Sequence, residues 1–274
     1  MATVISKTLS ITQDNAKQYC TADGLSLETG GHAFRKWLNG GTNGYATLNA
    51  SGMALLFPSN TAHPFKADSS MRGSRSAGTM TADLQFAGAA VHSVSFTSTS
   101  MKTLTATGIT NAAISASTAA TAIRWHIYGN NTNNQRIETA VLTLYFNQYA
   151  CAANAVGDGI DSVAVSNTAP YDGDTVTFTA NVKAGATWHG WYGDAACTQR
   201  VSTDQTYTTA AADLTLYANA TAATGTGIYI KSGGAFAEAQ TAYRKISGAW
   251  VNVTDAAVLK AEMKTGKYIM RKEG

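Results

Sequence analysis

Ile123-Arg-Trp-His-Ile-Tyr128 puts Ile123, Trp125 and Ile127 on one side of an extended chain and Arg124, His126 and Tyr128 on the other. A two-residue period of this kind suits a half-buried strand and no helix. It returns in Arg136 to Phe146, the longest such run of its region, and in Gly78 to Phe86, where Met80, Ala82, Leu84 and Phe86 share a face. Val4 to Ile11, Ala46 to Phe57, Val91 to Thr97 and Lys102 to Thr107 read as further strands. Short strands separated by polar turns predict an all-β chain whose first 152 residues form a jelly-roll-like β-sandwich. The one helix expected in this region lies near Ala33 to Leu38.

Charged residues make up 14% of the 274-residue chain, well under the usual quarter, so Thr, Ser, Asn and Gly must carry the polar surface. That composition favours strands and turns over helices. The net charge of +3 is unevenly spread. Residues 1–152 hold ten Lys and Arg against six Asp and Glu, residues 153–223 hold two against seven, and residues 224–274 hold eight against four. No segment has the basic density of a nucleic-acid binder. None approaches the ~20 apolar residues that cross a bilayer as a helix. Met1 to Ser10 has no secretory pattern, so a cytoplasmic start is expected. Three cysteines, Cys20, Cys151 and Cys197, argue against a disulfide scaffold. A Cys20–Cys151 disulfide is weighed against buried free thiols, and the thiols are expected.

Two further units follow, over 160–222 and 224–274. In the second unit Asp172-Gly173 is a turn before the alternating strand Thr175 to Ala180, and Trp188-His-Gly-Trp-Tyr192 supplies core aromatics. In the third, Gly227 to Ala239 returns as Ala242 to Val253 at an offset of 14: Tyr229 matches Tyr243, Lys231 matches Lys245, Gly234 matches Gly248 and Phe236 matches Trp250. Each copy reads as a strand, a glycine turn and a strand. One hairpin cannot bury its own apolar face, so the pair is expected to stack on itself or on another copy. Thr254 as cap and Gly266 as terminator predict one short helix over Asp255 to Lys264.

Three resemblances attach to these residues. The segment 100–147, with Ile114, a strand ending at Tyr128 and the long closing strand, resembles lectin-like sandwiches of phage tail proteins and carbohydrate-binding modules. The order from Val163 to Ala218 resembles the internalin B-type repeat, a β-grasp-like module of bacterial surface and phage structural proteins. The Tyr-x-Lys-x-Gly-Gly-x-Trp pattern resembles hairpins near the ends of phage minor structural and tail proteins. Together they imply a non-enzymatic bacteriophage virion protein, a tail- or fibre-associated component used in particle assembly and host attachment. A head decoration or head-fibre protein is the nearest alternative, and a bacterial surface adhesin or carbohydrate-binding module is another. The resemblances imply a virion location after assembly in the host cytoplasm. They imply other virion proteins as partners, further copies of the chain in a trimer, and a glycan or protein on the host surface, with no nucleic acid and no membrane insertion.

Chemistry is harder to find. His32, His63, His92, His126 and His189 lack the spacing of a zinc site. Asp158, Asp161, Asp172 and Asp174 lack the spacing of a calcium loop and read as turn residues. Six acids in the first 152 residues leave little for a glycosidase pair. No catalytic residue, cofactor or metal is expected. His63 to Arg75 reads as a polar loop whose His63, Lys66, Arg72 and Arg75 are candidate contacts for a ligand or a neighbouring subunit. Trp37, Tyr45, Trp125 and Tyr128 are candidates for a sugar platform, since flat rings stack on pyranose faces. Core packing is the expected fate of Trp125, which leaves Trp37 as the preferred contact. Tyr229, Phe236, Tyr243 and Trp250 complete the candidate contacts. His126 is expected to be a surface or interface histidine and not a catalytic one.

Overall fold

The computed structural model describes the chain apart from residues 29, 37–42, 77, 130–133, 224–228, 233–234, 239–242, 247–248 and 253–274, and gives backbone alone for the strands between 229 and 252. Among the described residues it is a mostly-β protein with three short helices. The first region runs β1 (Thr3–Ile11), α1 (Ala16–Tyr19), β2 (Cys20–Asp23), β3 (Ser26–Leu27), β4 (Phe34–Lys36), β5 (Asn43–Leu48), α2 (Ala50–Leu56), β6 (Pro64–Arg75), β7 (Met80–Phe86), β8 (Ala89–Phe96), β9 (Lys102–Ile109), α3 (Ala112–Ser115), β10 (Ile123–Gly129) and β11 (Gln135–Gln148). A six-stranded sheet has the order β3-β4-β11-β6-β9, with β1 also on β11. A five-stranded sheet has the order β2-β5-β10-β7-β8. The two close over one core that buries Phe34, Met71, Leu84, Phe86, Trp125, Ile127, Leu142 and Phe146.

Three expectations change here. His63 to Arg75 is no loop: β6 is a twelve-residue strand between β11 and β9. Its inward positions are Ala67, Ser69, Met71 and Gly73, of which Met71 alone is large and apolar, so the alternation does not show in sequence. Ala46 to Phe57 is not one strand, because β5 ends at Leu48 and α2 begins. The Asn49 side chain caps that helix by accepting from the Gly52 amide at 3.1 Å, satisfying one of its orphan donors. Of the helix expected near Ala33 to Leu38, the described residues Phe34–Lys36 are instead a strand that pairs with β11 and β3, so tertiary pairing overrides local propensity, and residues 37 and 38 lie outside the described residues. The helix expected over Asp255 to Lys264 lies outside the described residues.

The second region runs β12 (Cys151–Val156), β13 (Ile160–Val165), β14 (Thr175–Val182), β15 (Thr187–Tyr192), β16 (Arg200–Ser202), β17 (Thr206–Ala210) and β18 (Leu214–Thr221). Its sheets, β12-β18-β15-β16 and β13-β14-β17, enclose a separate core around Phe178, Trp191 and Leu216. β12 was not foreseen from sequence; it pairs parallel to β18. The Trp191 indole donates to the Gln205 carbonyl at 3.2 Å.

A turn from this region is seated against the first. Asp174 accepts from Ser59 and Thr61 hydroxyls at 2.6 Å each, and the Asp172 carbonyl accepts from the His63 amide at 2.8 Å. Tyr171 lies edge-on to Phe146, 6.1 Å between centroids. Gly173, at φ +91°, brings its backbone so close that a Cβ would lie 2.2 Å from the Thr61 carbonyl oxygen. No other residue suits that position. Burial raises the Asp174 pKa, but the hydroxyls of Ser59 and Thr61 and the Tyr171 amide outweigh it and hold the carboxyl below its ordinary value.

Beyond these regions, β19 (Tyr229–Ser232) pairs with β20 (Ala235–Glu238), and β21 (Tyr243–Ile246) pairs with β22 (Ala249–Asn252). Both hairpins keep one register: Tyr229 faces Glu238 and Lys231 faces Phe236, as Tyr243 faces Asn252 and Lys245 faces Trp250. Cys20, Cys151 and Cys197 are free, the first two buried in different cores, so the alternative disulfide does not form. Burial pushes the Cys20 thiol up to about 12. Among the described residues no helix is long and apolar enough to cross a membrane.

Candidate functional site

β10 is the central strand of the five-stranded sheet, and its alternation is realised in full. Ile123, Trp125 and Ile127 have no exposed surface, while Arg124, His126 and Tyr128 stand on the outer face. Register supplies the rest of that face. Arg124 lies between Thr47 and Gln85, His126 between Tyr45 and Asp83, and Tyr128 between Asn43 and Thr81.

These side chains form a stack. The His126 ring lies 4.5 Å from Tyr45 at 12° between planes, and 4.5 Å from Tyr128 at 22°. The Arg124 guanidinium sits 4.4 Å from the Tyr45 ring centroid, close enough for a cation–π attraction. Beneath the rings runs a directional hydrogen-bond chain. Arg124 Nε donates to Gln85 Oε1 at 2.8 Å, the Gln85 amide donates to His126 Nδ1 at 3.3 Å, and His126 Nε2 donates to Asn43 Oδ1 at 3.1 Å. Those donors require neutral His126 with its proton on Nε2, an assignment made from the network. Burial holds this imidazole below its ordinary value, opposed by the Asp83 carboxylate and aided by Arg124 and Lys36. Tyr128 donates to Asp83, and burial followed by that carboxylate raises its pKa. Asp83 is 6% exposed and its Oδ1 has no hydrogen-bond partner.

Neither His126 nitrogen touches a hydroxyl or a thiol, so the pair Asp83–His126 (3.5 Å) activates no nucleophile in this geometry. Among the described residues no three His, Cys, Asp or Glu side chains converge as a metal-ligand set. What the face offers is ring edges, an oriented guanidinium, an exposed Asn43 carboxamide and outward hydroxyls of Ser93 and Ser95.

The contacts expected from sequence are dispersed. His63 is at the seated turn, its Nδ1 3.0 Å from the Ser117 carbonyl oxygen. Lys66 covers the Tyr145 ring at 3.9 Å on the opposite sheet, Arg72 pairs with Glu138, and Arg75 donates to the Thr97 carbonyl. Lys66 and Arg72 share the outward face of β6, six residues apart, and each of the four basic groups has its own local partner. Trp37 lies outside the described residues, as do the side chains of Tyr229, Phe236, Tyr243 and Trp250. Of the platform candidates, Tyr45 and Tyr128 each stack on His126, and Trp125 is core. Asn43, Asp83 and Gln85 were missed, because nothing local marks a residue that cross-strand register delivers.

No protein-family model matches this chain, and no curated protein sequence does. Several solved structures resemble it loosely. One is a CBM36 domain of a multidomain xylanase from the hindgut metagenome of Trinervitermes trinervoides, 8% identical, covering 51% of this chain and 96% of that one with a TM-score of 0.33. Another is a CBM36 carbohydrate-binding module solved with calcium and xylotriose, 18% identical over 50% of this chain and 97% of its own, TM-score 0.29. A family 35 carbohydrate-binding module from Clostridium thermocellum is 10% identical over 49% and 96%, TM-score 0.27. Likeness at that level assigns no ligand to this chain.

Proposed function

We propose that this chain is a non-enzymatic glycan-binding protein that holds an oligosaccharide across the outer face of its five-stranded sheet. The stack of Arg124, Tyr45, His126 and Tyr128 carries the proposal. Sugar sites combine aromatic surface with a few fixed polar groups, and here the polar groups are fixed before any ligand arrives. Among the described residues Tyr128 is the last ring of the stack and is half-buried, and a pyranose laid on it would extend the stack. Screening the full chain on a glycan array tests the role. Tyr45→Ala and Tyr128→Ala should each lower affinity for the best glycan by about tenfold or more, given what aromatic contacts contribute. An array without binders, or binders indifferent to both changes, would sink it.

We further propose that such binding serves a virion appendage, of tail or fibre type or a head decoration, with the two hairpins joining copies of the chain. The common register of the hairpins at an offset of 14 favours this setting. Both described cores lie before residue 222, so a chain cut after Ala223 should keep its fold. Light scattering should find an oligomer that becomes monomeric on that cut. A monomer in both cases would remove the hairpins as a clasp.

A further inference from the structure

We infer that the bound glycan is acidic and that Arg124 takes its carboxylate, which rests on the glycan-binding role proposed above. Arg124 is held on two sides. Its Nε is engaged by Gln85, itself 8% exposed, and one face of the guanidinium lies on Tyr45. Gln85 is fixed in turn by His126. What remains is the edge formed by the two terminal nitrogens, which matches a carboxylate in a paired, planar contact. Among the described residues the ion pairs are Met1 with Asp213, Lys17 with Glu28 and Arg72 with Glu138, and Asp83 lies beside the neutral His126 ring, so Arg124 has no acidic partner of its own.

The surroundings leave room. The turn beside Arg124 is formed by Gly88, where a Cβ would meet nothing nearer than the guanidinium nitrogen at 3.9 Å. Ala90 opposes Gln85 and Thr47 opposes Arg124, so small side chains border the guanidinium edge. Two acids share the face. Asp83 is covered and already bonded to Tyr128, and Asp23 lies opposite Tyr45 on the edge strand β2, away from the Gln85 side. A guanidinium oriented by a buried amide and a ring, with no acid of the chain paired to it, is pre-organised for an acid on the ligand.

The experiment takes the full chain and an array bearing uronate, sialate and pyruvate oligosaccharides beside neutral and amino sugars. The best acidic binder is then titrated by calorimetry against its carboxyl-reduced counterpart. The acid should bind about tenfold tighter or more than the alcohol, as expected for charge-assisted hydrogen bonds, and the difference should shrink with added salt. Arg124→Gln and Arg124→Lys should both erase the difference, the second because an ammonium keeps the charge without the fork. The comparison of acid with alcohol uses unaltered protein and does not depend on either variant folding. Binders that are all neutral or basic, or an acid no tighter than its alcohol, would overturn the inference while leaving a glycan-binding face. An empty array would remove the face itself.

Discussion

The first sandwich has two outward faces built on the same alternation, and they use it differently. On the six-stranded sheet polar groups pair locally across neighbouring strands. Thr8 bonds Thr143 at 2.9 Å and Thr105 bonds Ser70 at 3.2 Å, both between short hydroxyls. Asp68 accepts from the Gly108 amide at 2.6 Å and from Tyr145, whose ring is covered by Lys66. On the five-stranded sheet the groups are long and linked in series from Arg124 through Gln85 and His126 to Asn43. Pairwise satisfaction leaves little for a ligand to gain. A chain that ends in an exposed carboxamide at one end and a guanidinium edge at the other leaves strong donors outward, and bonds in series orient one another.

The largest effect is expected where the second face meets its floor. Trp125, between Arg124 and His126 in sequence, is fully buried and packs on Phe34 at 5.5 Å. Trp125→Ala should lower unfolding stability by about 3–5 kcal/mol through lost transfer energy and an unfilled cavity. Trp125→Phe should cost far less, since the indole nitrogen has no acceptor to lose. Urea denaturation of the two variants checks both. A small loss for Trp125→Ala would mean that the stack above does not depend on the core below, and the contrast between the faces would need another origin.

Much of the sandwich is written in local pattern, and the site only partly. The period of Ile123 to Tyr128 gave both the strand and its outward residues, because sheet pleating converts alternation directly into two faces. Tyr45 and Tyr128 were recognisable as candidate platform rings from residue type and position, and both are half-buried. Gln85 and Asn43 reach Arg124 and His126 from 39 and 83 residues away, so their role depends on strand order, which no window of sequence contains. The same limit hid β6. A central strand flanked on both sides can bury Ala67, Ser69 and Gly73 without large side chains, and its basic residues then suggest a loop. The joint at Asp174 is likewise invisible, since an aspartate in a turn reads as a turn until Ser59 and Thr61 are placed beside it.

Acid should separate the two faces. Burial lowers the pKa of His126 from 6.5, and that of His92 and His32 likewise. The unfolded chain therefore takes up protons first as pH falls. The stability linked to these neutral imidazoles is complete above 6.5 and declines as pH drops below it. Asp68, on the opposite face, is held below its ordinary 3.8: burial raises it, but the Tyr145 hydroxyl, the Gly108 amide and Lys66 prevail. Its contribution persists above 3.8 and goes as pH falls through the depressed value. Denaturation midpoints taken across this range, with histidine ring protons followed by NMR, should show a first loss of stability below about 6.5. Stability that stays level until the carboxylates titrate would place His126 outside any strained network.

The smallest effect belongs to the hydroxyl pairs. Thr8 and Thr143 are joined at 2.9 Å on an exposed surface, where water replaces either hydroxyl at once. Thr143→Ala should change stability by less than about 0.5 kcal/mol and leave glycan affinity unaltered. The double change Thr8→Ala with Thr143→Ala should show a coupling of similar size, because neither group is left buried and unpaired. If that cycle instead gave about 1.5 kcal/mol or more, the six-stranded face would be a cooperative network as well. Binding could then not be assigned to one face on the ground that its polar groups act together, and the glycan would have to be sought on both.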